Sequence, residues 1–138
     1  MFSVENIMKT DVLVVGPHET IRGAINLMGR HKVSGLPVVD DRQHLLGVVT
    51  EYDLLKAFHH HQEDATIADI MSTEIITAPM QATLDELLEL FLTSRLRRVL
   101  IAQDGKLAGV ISRRDLLYAA QSRRQLNDWK QSQSAVCN

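Results

Sequence analysis

Leu45-Leu46-Gly47-Val48-Val49-Thr50-Glu51-Tyr52-Asp53-Leu54-Leu55 decides the fold, because it recurs as Leu107-Ala108-Gly109-Val110-Ile111-Ser112-Arg113-Arg114-Asp115-Leu116-Leu117. Each version is an apolar run interrupted by one glycine, then a hydroxyl residue, two variable positions, an aspartate and two leucines. Farther upstream, Ile7-Met8-Lys9-Thr10 recurs as Ile70-Met71-Ser72-Thr73. The offset is 63 residues at the front (70 − 7) and 62 at the back (107 − 45), so one residue has been lost in between. Self-similarity at one spacing defines the architectural unit. Two copies are too few for a solenoid. They predict a pseudo-symmetric pair with two equivalent clefts.

Working outward, each copy has the same rhythm. A short amphipathic turn (Val4 to Met8; Ile67 to Met71) precedes a β-branched run, Val12-Leu13-Val14-Val15 or Ile75-Ile76-Thr77. Gly16-Pro17 and Ala78-Pro79 punctuate the end of these runs. Thr20 and Thr83 stand where a helix N-cap belongs. Ile21, Ala24, Ile25 and Met28 then recur at helical spacing, as do Leu84, Leu87, Leu88 and Phe91. Two short strands follow, Leu36 to Val39 and Leu45 to Val49 in one copy, Val99 to Ala102 and Leu107 to Ile111 in the other. Asp41-Arg42-Gln43 and Asp104-Gly105-Lys106 are their turns. A second helix starts near Glu51 and near Arg113. The order is strand, helix, strand, strand, helix, twice, an α/β (α+β) pattern.

Composition sets bounds on this reading. A chain of 138 residues can bury a proper core, and 45% apolar with 23% charged residues is ordinary for a soluble globular protein. Aromatics make up only 4%, so the core is expected to be aliphatic. No stretch approaches the roughly 18 apolar residues of a membrane span. Met1 to Lys9 has no apolar run, so no signal peptide is expected. The single Cys137 cannot form an internal disulfide, which fits a reducing cytoplasm. A net charge of −2 argues against bulk nucleic-acid binding. The charge is nonetheless uneven, with seven acids and no Lys or Arg from Glu63 to Glu89, and nine Lys or Arg against three acids from Phe91 to Lys130. The basic stretch is either a solvated face or a surface for an anion or acidic partner.

The repeated Thr/Ser-x-x-Asp admits two readings. A hydroxyl at an N-cap with an acid three residues on is close to a capping box, which satisfies helix amides without any ligand. The same carboxylate can instead accept hydrogen bonds from two adjacent ribose hydroxyls, as acids do in dinucleotide sites. Thr50 or Ser112 could add a contact, and free helix amides favour a phosphate. Gly47 and Gly109 either let the backbone approach closely or simply suit their strands.

These residues carry a resemblance. Leu13 to Thr20, then Val33-Ser34-Gly35-Leu36-Pro37-Val38-Val39-Asp40, then Gly47 to Asp53 resemble a CBS motif, and the second copy resembles another. The likeness covers Val4 to Ala120. It implies two pseudo-symmetric β-α-β-β-α CBS motifs packed through their sheets, 1–61 and 62–124, with 125–138 as helix end and flexible tail. It further implies a regulatory module that binds an adenosine-containing metabolite (AMP, ADP, ATP, NAD or S-adenosylmethionine) as regulatory ligand and needs no cofactor. The resemblance also implies a homodimer. The ribose role falls on Asp53 and Asp115, with Thr50 and Ser112 beside them. Residues before the second strand face the phosphates in such motifs. There one copy has Ser34-Gly35 and the other Arg97-Arg98, whose guanidinium groups can grip phosphate oxygens bidentately. Leu100 departs from the motif's usual proline. By the same analogy the adenine pocket involves Thr10, Val12, Gly35, Leu36, Pro37, Thr73, Ile75 and Val99.

Other features are weighed against this. His59-His60-His61 invites a metal reading, but consecutive side chains on a helix do not share a face, and a solvated linker accounts for them. Met8 and Met71 read as gap-fillers in a core. Trp129 is either an anchor for the last helix or a partner contact. No enzyme is expected, because Ser112 lies in no Gly-x-Ser-x-Gly elbow and neither a Walker loop nor paired zinc spacing occurs. With no further domain visible, the output is expected in trans, to an unknown regulated protein. A ligand-free scaffold, or a metal- or nucleic-acid-responsive module, is the alternative.

Overall fold

Thr20 and Thr83 begin helices as their sequence context predicts. The Thr20 Oγ1 accepts from the Gly23 amide at 3.0 Å and opens a helix at Ile21–His31, while Thr83 Oγ1 accepts from the Glu86 amide at 3.1 Å and opens one at Leu84–Ser94. Glu86 returns a bond from Oε1 to the Thr83 amide, completing a capping box. Both helices end on a cation in the left-handed conformation, Lys32 (φ 54°) and Arg95 (φ 50°). The computed structural model describes residues 2–124. Trp129, Cys137 and the rest of the 125–138 tail lie outside the described residues.

In chain order the elements are α1 (Val4–Ile7), α2 (Ile21–His31), β1 (Gly35–Val39), β2 (Leu45–Thr50), α3 (Glu51–His59), α4 (Ile67–Ile70), β3 (Thr77–Pro79), α5 (Leu84–Ser94), β4 (Arg98–Gln103) and β5 (Lys106–Ser112). A last helix, α6, runs over 113–124 among the described residues. β1 and β2 form an antiparallel ladder from Gly35↔Thr50 to Val39↔Leu45, with an irregularity at Val38/Val39. β3, β4 and β5 form a three-stranded sheet in which β3 runs parallel to β4. The molecule is a mixed α/β fold of small sheets and helices, with the repeated hairpin-into-helix element in both copies.

Packing divides the chain into two units, and neither coincides with one repeat. The first unit is Asp11–Ile76 with Asp104–Leu107. Its core gathers Val15, Ile21, Ala24, Met28, Leu36, Val38, Val49, Leu54, Ala57 and Ile67. Among the described residues the second unit is 2–10, Thr77–Gln103 and 108–124. Its core is Val4, Ala78, Ala82, Leu87, Phe91, Val99, Ile101, Ile111 and Leu116. Each copy's leading segment therefore packs on the other copy. Val4 of α1 is buried beside Leu87 and Ile111, whereas Ile67 of α4 is buried beside Ile21 and Val49. Both cores are aliphatic but for Phe91, as the aromatic content predicts.

Two strap contacts show how this crossing is fastened. Lys9 bridges Val110 of β5, each amide donating to the other's carbonyl at 2.9 Å. Ser72 bridges Val48 of β2 in the same manner, also at 2.9 Å both ways. Beneath each strap lies a glycine. A Cβ on Gly47 would sit 2.7 Å from Met71 Sδ and 2.7 Å from the Ser72 carbonyl oxygen. On Gly109 it would sit 2.7 Å from Met8 Sδ and 2.8 Å from the Lys9 carbonyl oxygen. The close approach expected at these glycines is made by the chain's own backbone, and the repeated methionines pack over them.

The expected strand at Val12 to Val15 is reduced to a single parallel bridge, Val15↔Val38. Val15 alone exchanges bonds with β1, through Val15 N to Pro37 O and Val39 N to Val15 O, both 3.0 Å. In the other copy the strand falls at Thr77–Pro79 rather than Ile75 to Thr77, and Pro79 is tolerated there on a sheet edge that asks it for no donor. The first hairpin turn is locked by Asp40. Its Oδ1 accepts from the Arg42 and His44 amides at 2.9 Å each, and its Oδ2 lies 3.0 Å from His44 Nδ1. Desolvation pushes the Asp40 pKa up, but the amide bonds from His44 and Arg42 and the His44 ring outweigh it and hold it below the ordinary 3.8. A folded pKa below the unfolded one contributes stability above about pH 4 and loses it as pH falls through the folded value. Asp40→Asn should accordingly lower the melting temperature in the neutral region and converge with the parent in acid, so that the acid limb of its profile is flatter.

Candidate functional site

Both Thr/Ser-x-x-Asp segments lie where a strand becomes a helix, held by one backbone bond to the residue before the facing strand. In the first unit the Glu51 amide donates to the Ser34 carbonyl at 2.9 Å. In the second the Arg113 amide donates to the Arg97 carbonyl at 2.7 Å. Ser34-Gly35 thus lies against Thr50-Glu51, and Arg97-Arg98 against Ser112-Arg113. The repeat's pairing of these motifs is real in space.

The two aspartates, however, are used differently. Thr50 Oγ1 accepts from the Asp53 amide at 3.3 Å, and Asp53 Oδ2 accepts from the Thr50 amide at 2.9 Å and the Thr50 hydroxyl at 3.0 Å. That is a complete capping box, so the carboxylate of Asp53 has a local job. In the second unit only half of the box forms. Ser112 Oγ accepts from the Asp115 amide at 3.1 Å. Asp115 Oδ2 gives nothing back. Among the described residues no donor reaches it within hydrogen-bond distance, although it is buried. Lys9 Nζ lies 3.9 Å away, an ion pair too long to be a hydrogen bond, and the Asp115 side chain as a whole is 28% exposed.

The crossing of leading segments sorts the remaining candidates. Val12, Gly35, Leu36, Pro37, Thr73 and Ile75 belong to the first unit with Thr50 and Asp53. Thr10, Arg97, Arg98 and Val99 belong to the second with Ser112 and Asp115. Thr10 and Thr73 are exposed, Val12, Gly35 and Ile75 half-buried, and Leu36, Pro37 and Val99 buried. Val99 and Leu36 are core residues of their sheets, with relative exposures of 0% and 1%. Arg97 and Arg98 are exposed. Lys9 was not singled out from sequence as a site residue. The repeated Ile-Met-x-Thr marked its position, but nothing in one sequence says that this segment crosses to the other copy. Arg113 and Arg114 also stand at the second junction, one residue and two beyond Ser112.

The sequence profile described as the CBS domain matches residues 4–60 and 67–122. The chain belongs to the CBS domain family. As a tandem CBS pair it is similar to the CBS domain-containing protein YhcV of Bacillus subtilis, 31% identical over 118 residues that cover 84% of each chain. It is also 36% identical over 116 residues to an inosine-5'-monophosphate dehydrogenase of Methanocaldococcus jannaschii, where 82% of this chain spans only 22% of the enzyme. Among solved structures it resembles CBSX2, a CBS-pair protein of Arabidopsis thaliana, in complex with AMP. That likeness has a TM-score of 0.76 and 29% identity, covering 90% of this chain and 99% of the other. No helix among the described residues is long and apolar enough to cross a membrane.

Proposed function

We propose that this CBS pair is a regulatory sensor of an adenosine-containing metabolite, with the ribose held by Asp115 and Ser112 in the second unit and, more weakly, by Asp53 and Thr50 in the first. The observation that carries it is the half-formed capping box. A buried carboxylate oxygen without a donor costs free energy, and a ligand hydroxyl that supplied one would recover it. Ribose hydroxyls supply the missing donors. Arg97 and Arg98 stand by for phosphate, and the AMP bound to a CBS-pair relative supports an adenine ligand. Thr10, Val12, Gly35, Thr73 and Ile75 are the accessible members of the adenine-pocket set. The output on this reading passes in trans to a regulated protein, and the ligand drives it by binding two conformations with different affinities. A thermal-shift series with AMP, ADP, ATP, NAD, S-adenosylmethionine and GTP tests the reading, since a ligand of the native state must raise the melting temperature. Adenine nucleotides should shift it more than GTP does. A flat response to all of them, in protein free of carried-over ligand, would return the fold to the scaffold reading.

The sensor works as a homodimer, in which the first unit of one copy docks on the second unit of another. The first unit has a largely apolar groove of ≈ 790 Å³ along α2 and α3, lined by Met28, Gly29, Lys32, Tyr52, Leu55 and Phe58. At the position of α5 equivalent to Gly29 (29 + 63) the second unit carries Leu92, 78% exposed. Charge agrees with this match. α2 holds Arg22, Arg30 and His31 with no acid, and α5 holds Asp85, Glu86 and Glu89 with no base. Leu92→Glu should therefore raise the dimer dissociation constant at least about tenfold, the worth of one buried leucine. Sedimentation velocity reads the change. An unaltered dimer would place its interface on another face.

A further inference from the structure

The two junctions are alike in backbone and opposite in charge. Position by position, the first unit's Ser72, Ser34, Gly35, Glu51 and Tyr52 correspond to Lys9, Arg97, Arg98, Arg113 and Arg114 in the second. The 63-residue offset pairs the first three and the 62-residue offset the last two. Five cations therefore occupy the segments that meet at the Asp115 junction, where the other unit offers one anion, Glu51. The bond from the Arg113 amide to the Arg97 carbonyl brings the backbones of the two arginine pairs together. All four arginines are exposed, and among the described residues none has a carboxylate within ion-pair distance. Asp115 is the one acid at that junction, and its ion-pair partner is Lys9. Arg114 lies with its guanidinium carbon 5.2 Å from the centroid of the Tyr118 ring. A stacked guanidinium keeps its in-plane N–H groups for another acceptor. Mutual repulsion of unpaired like charges is relieved only by counterions or by a polyanion.

We infer that the second unit's site selects a polyphosphate, a nucleoside di- or triphosphate rather than a monophosphate, with Arg113 and Arg114 joining Arg97 and Arg98 in gripping it. The inference deepens the adenosine-sensor reading and assigns the two junctions different ligands. Glu51 repels added phosphates at the first junction, so the charge state of the nucleotide is read at the second alone. One Arg pair suffices for a single phosphate, since each fork can engage two oxygens. Four guanidinium groups and a lysine match the additional charges of a di- or triphosphate.

Isothermal titration with AMP, ADP and ATP, at low and at moderate salt, measures the selection. Affinity should rise about tenfold with each added phosphate, the scale of a charge-assisted hydrogen bond, and the gain should shrink as salt screens it. Inorganic tripolyphosphate should bind and compete with ATP. The double variant Arg113→Glu/Arg114→Tyr, which writes the first junction's residues into the second, should lose most of the ATP advantage, read as the ratio of ATP to AMP affinity. Equal affinity for AMP and ATP, or a double variant that binds ATP as the parent does, would overturn the inference and leave the adenosine reading standing. Tripolyphosphate binding with no response to any adenine nucleotide would do the reverse. If the double variant does not fold, the phosphate series and the tripolyphosphate competition on the parent protein decide alone.

Discussion

Asp115→Ala should weaken adenine-nucleotide binding about a hundredfold, as two charge-assisted hydrogen bonds to ribose are lost at roughly 1.5 kcal/mol each. The same change should move the melting temperature of the free protein little, because it removes a buried oxygen without a hydrogen-bond donor and, with it, the ion pair to Lys9. Asp53→Ala should behave in the opposite way. It breaks a complete capping box on α3, worth about 1 kcal/mol, and so lowers the melting temperature by a few degrees. Its effect on nucleotide affinity should stay within a few-fold, because its Oδ2 is already engaged by Thr50. The pair of variants separates the two readings of Thr/Ser-x-x-Asp within one molecule. Calorimetric titration and thermal melts of both give the crossed pattern or do not. Equal losses of affinity would mean that the two carboxylates serve ligands alike and that the broken box is incidental.

The contrast between those aspartates could not be read from the sequence, and the reason is geometric. Thr50-x-x-Asp53 and Ser112-x-x-Asp115 are the same pattern, and both satisfy the spacing of a capping box. Beside Asp115 stands Lys9, which has no counterpart charge at Asp53 and arrives from about a hundred residues away because the leading segment of one copy packs on the other. Local signals carried far: the helix starts at Thr20 and Thr83, both hairpins, and the helices after Thr50 and Ser112 all stand where propensity and period put them. Signals that depend on a distant partner did not. Val12 to Val15 has strand composition, yet it finds only one residue's worth of ladder at Val15. Leu36 and Val99 match a ligand-facing motif, but each is also the apolar residue that closes a sheet core, where burial leaves almost no surface for anything else. The arginines at 113 and 114 were plain in the text of the chain. Only the bond from Arg113 to Arg97 makes them neighbours of the other pair.

The crossing itself predicts the other large effect. Gly47→Ala and Gly109→Ala should each destabilise the fold by about 1–3 kcal/mol, the range for inserting a methyl group into a filled space. A new Cβ would come within 2.7 Å of a backbone carbonyl oxygen at Gly47 and 2.8 Å at Gly109. A methionine sulfur also stands 2.7 Å from each, but Met is flexible and can move; the carbonyl belongs to a strap bonded to the strand on both sides. Relief therefore requires the strap to lift. At Gly109 the strap is Lys9, the ion-pair partner of Asp115, so Gly109→Ala should weaken nucleotide binding in the second unit as well as stability. Gly47→Ala lifts Ser72, which holds no charge beside Asp53, and should cost stability with little change at the second site. Trimming Met8 to alanine in the Gly109→Ala background makes room for the sulfur clash alone. If that double variant regains full stability, the methionine was the obstacle. If it does not, the backbone strap is what glycine is there to admit. Urea titrations of the four proteins, with nucleotide affinity measured alongside, distinguish these outcomes. A Gly109→Ala protein as stable as its parent would show that the strap yields freely and that the crossing needs no glycine.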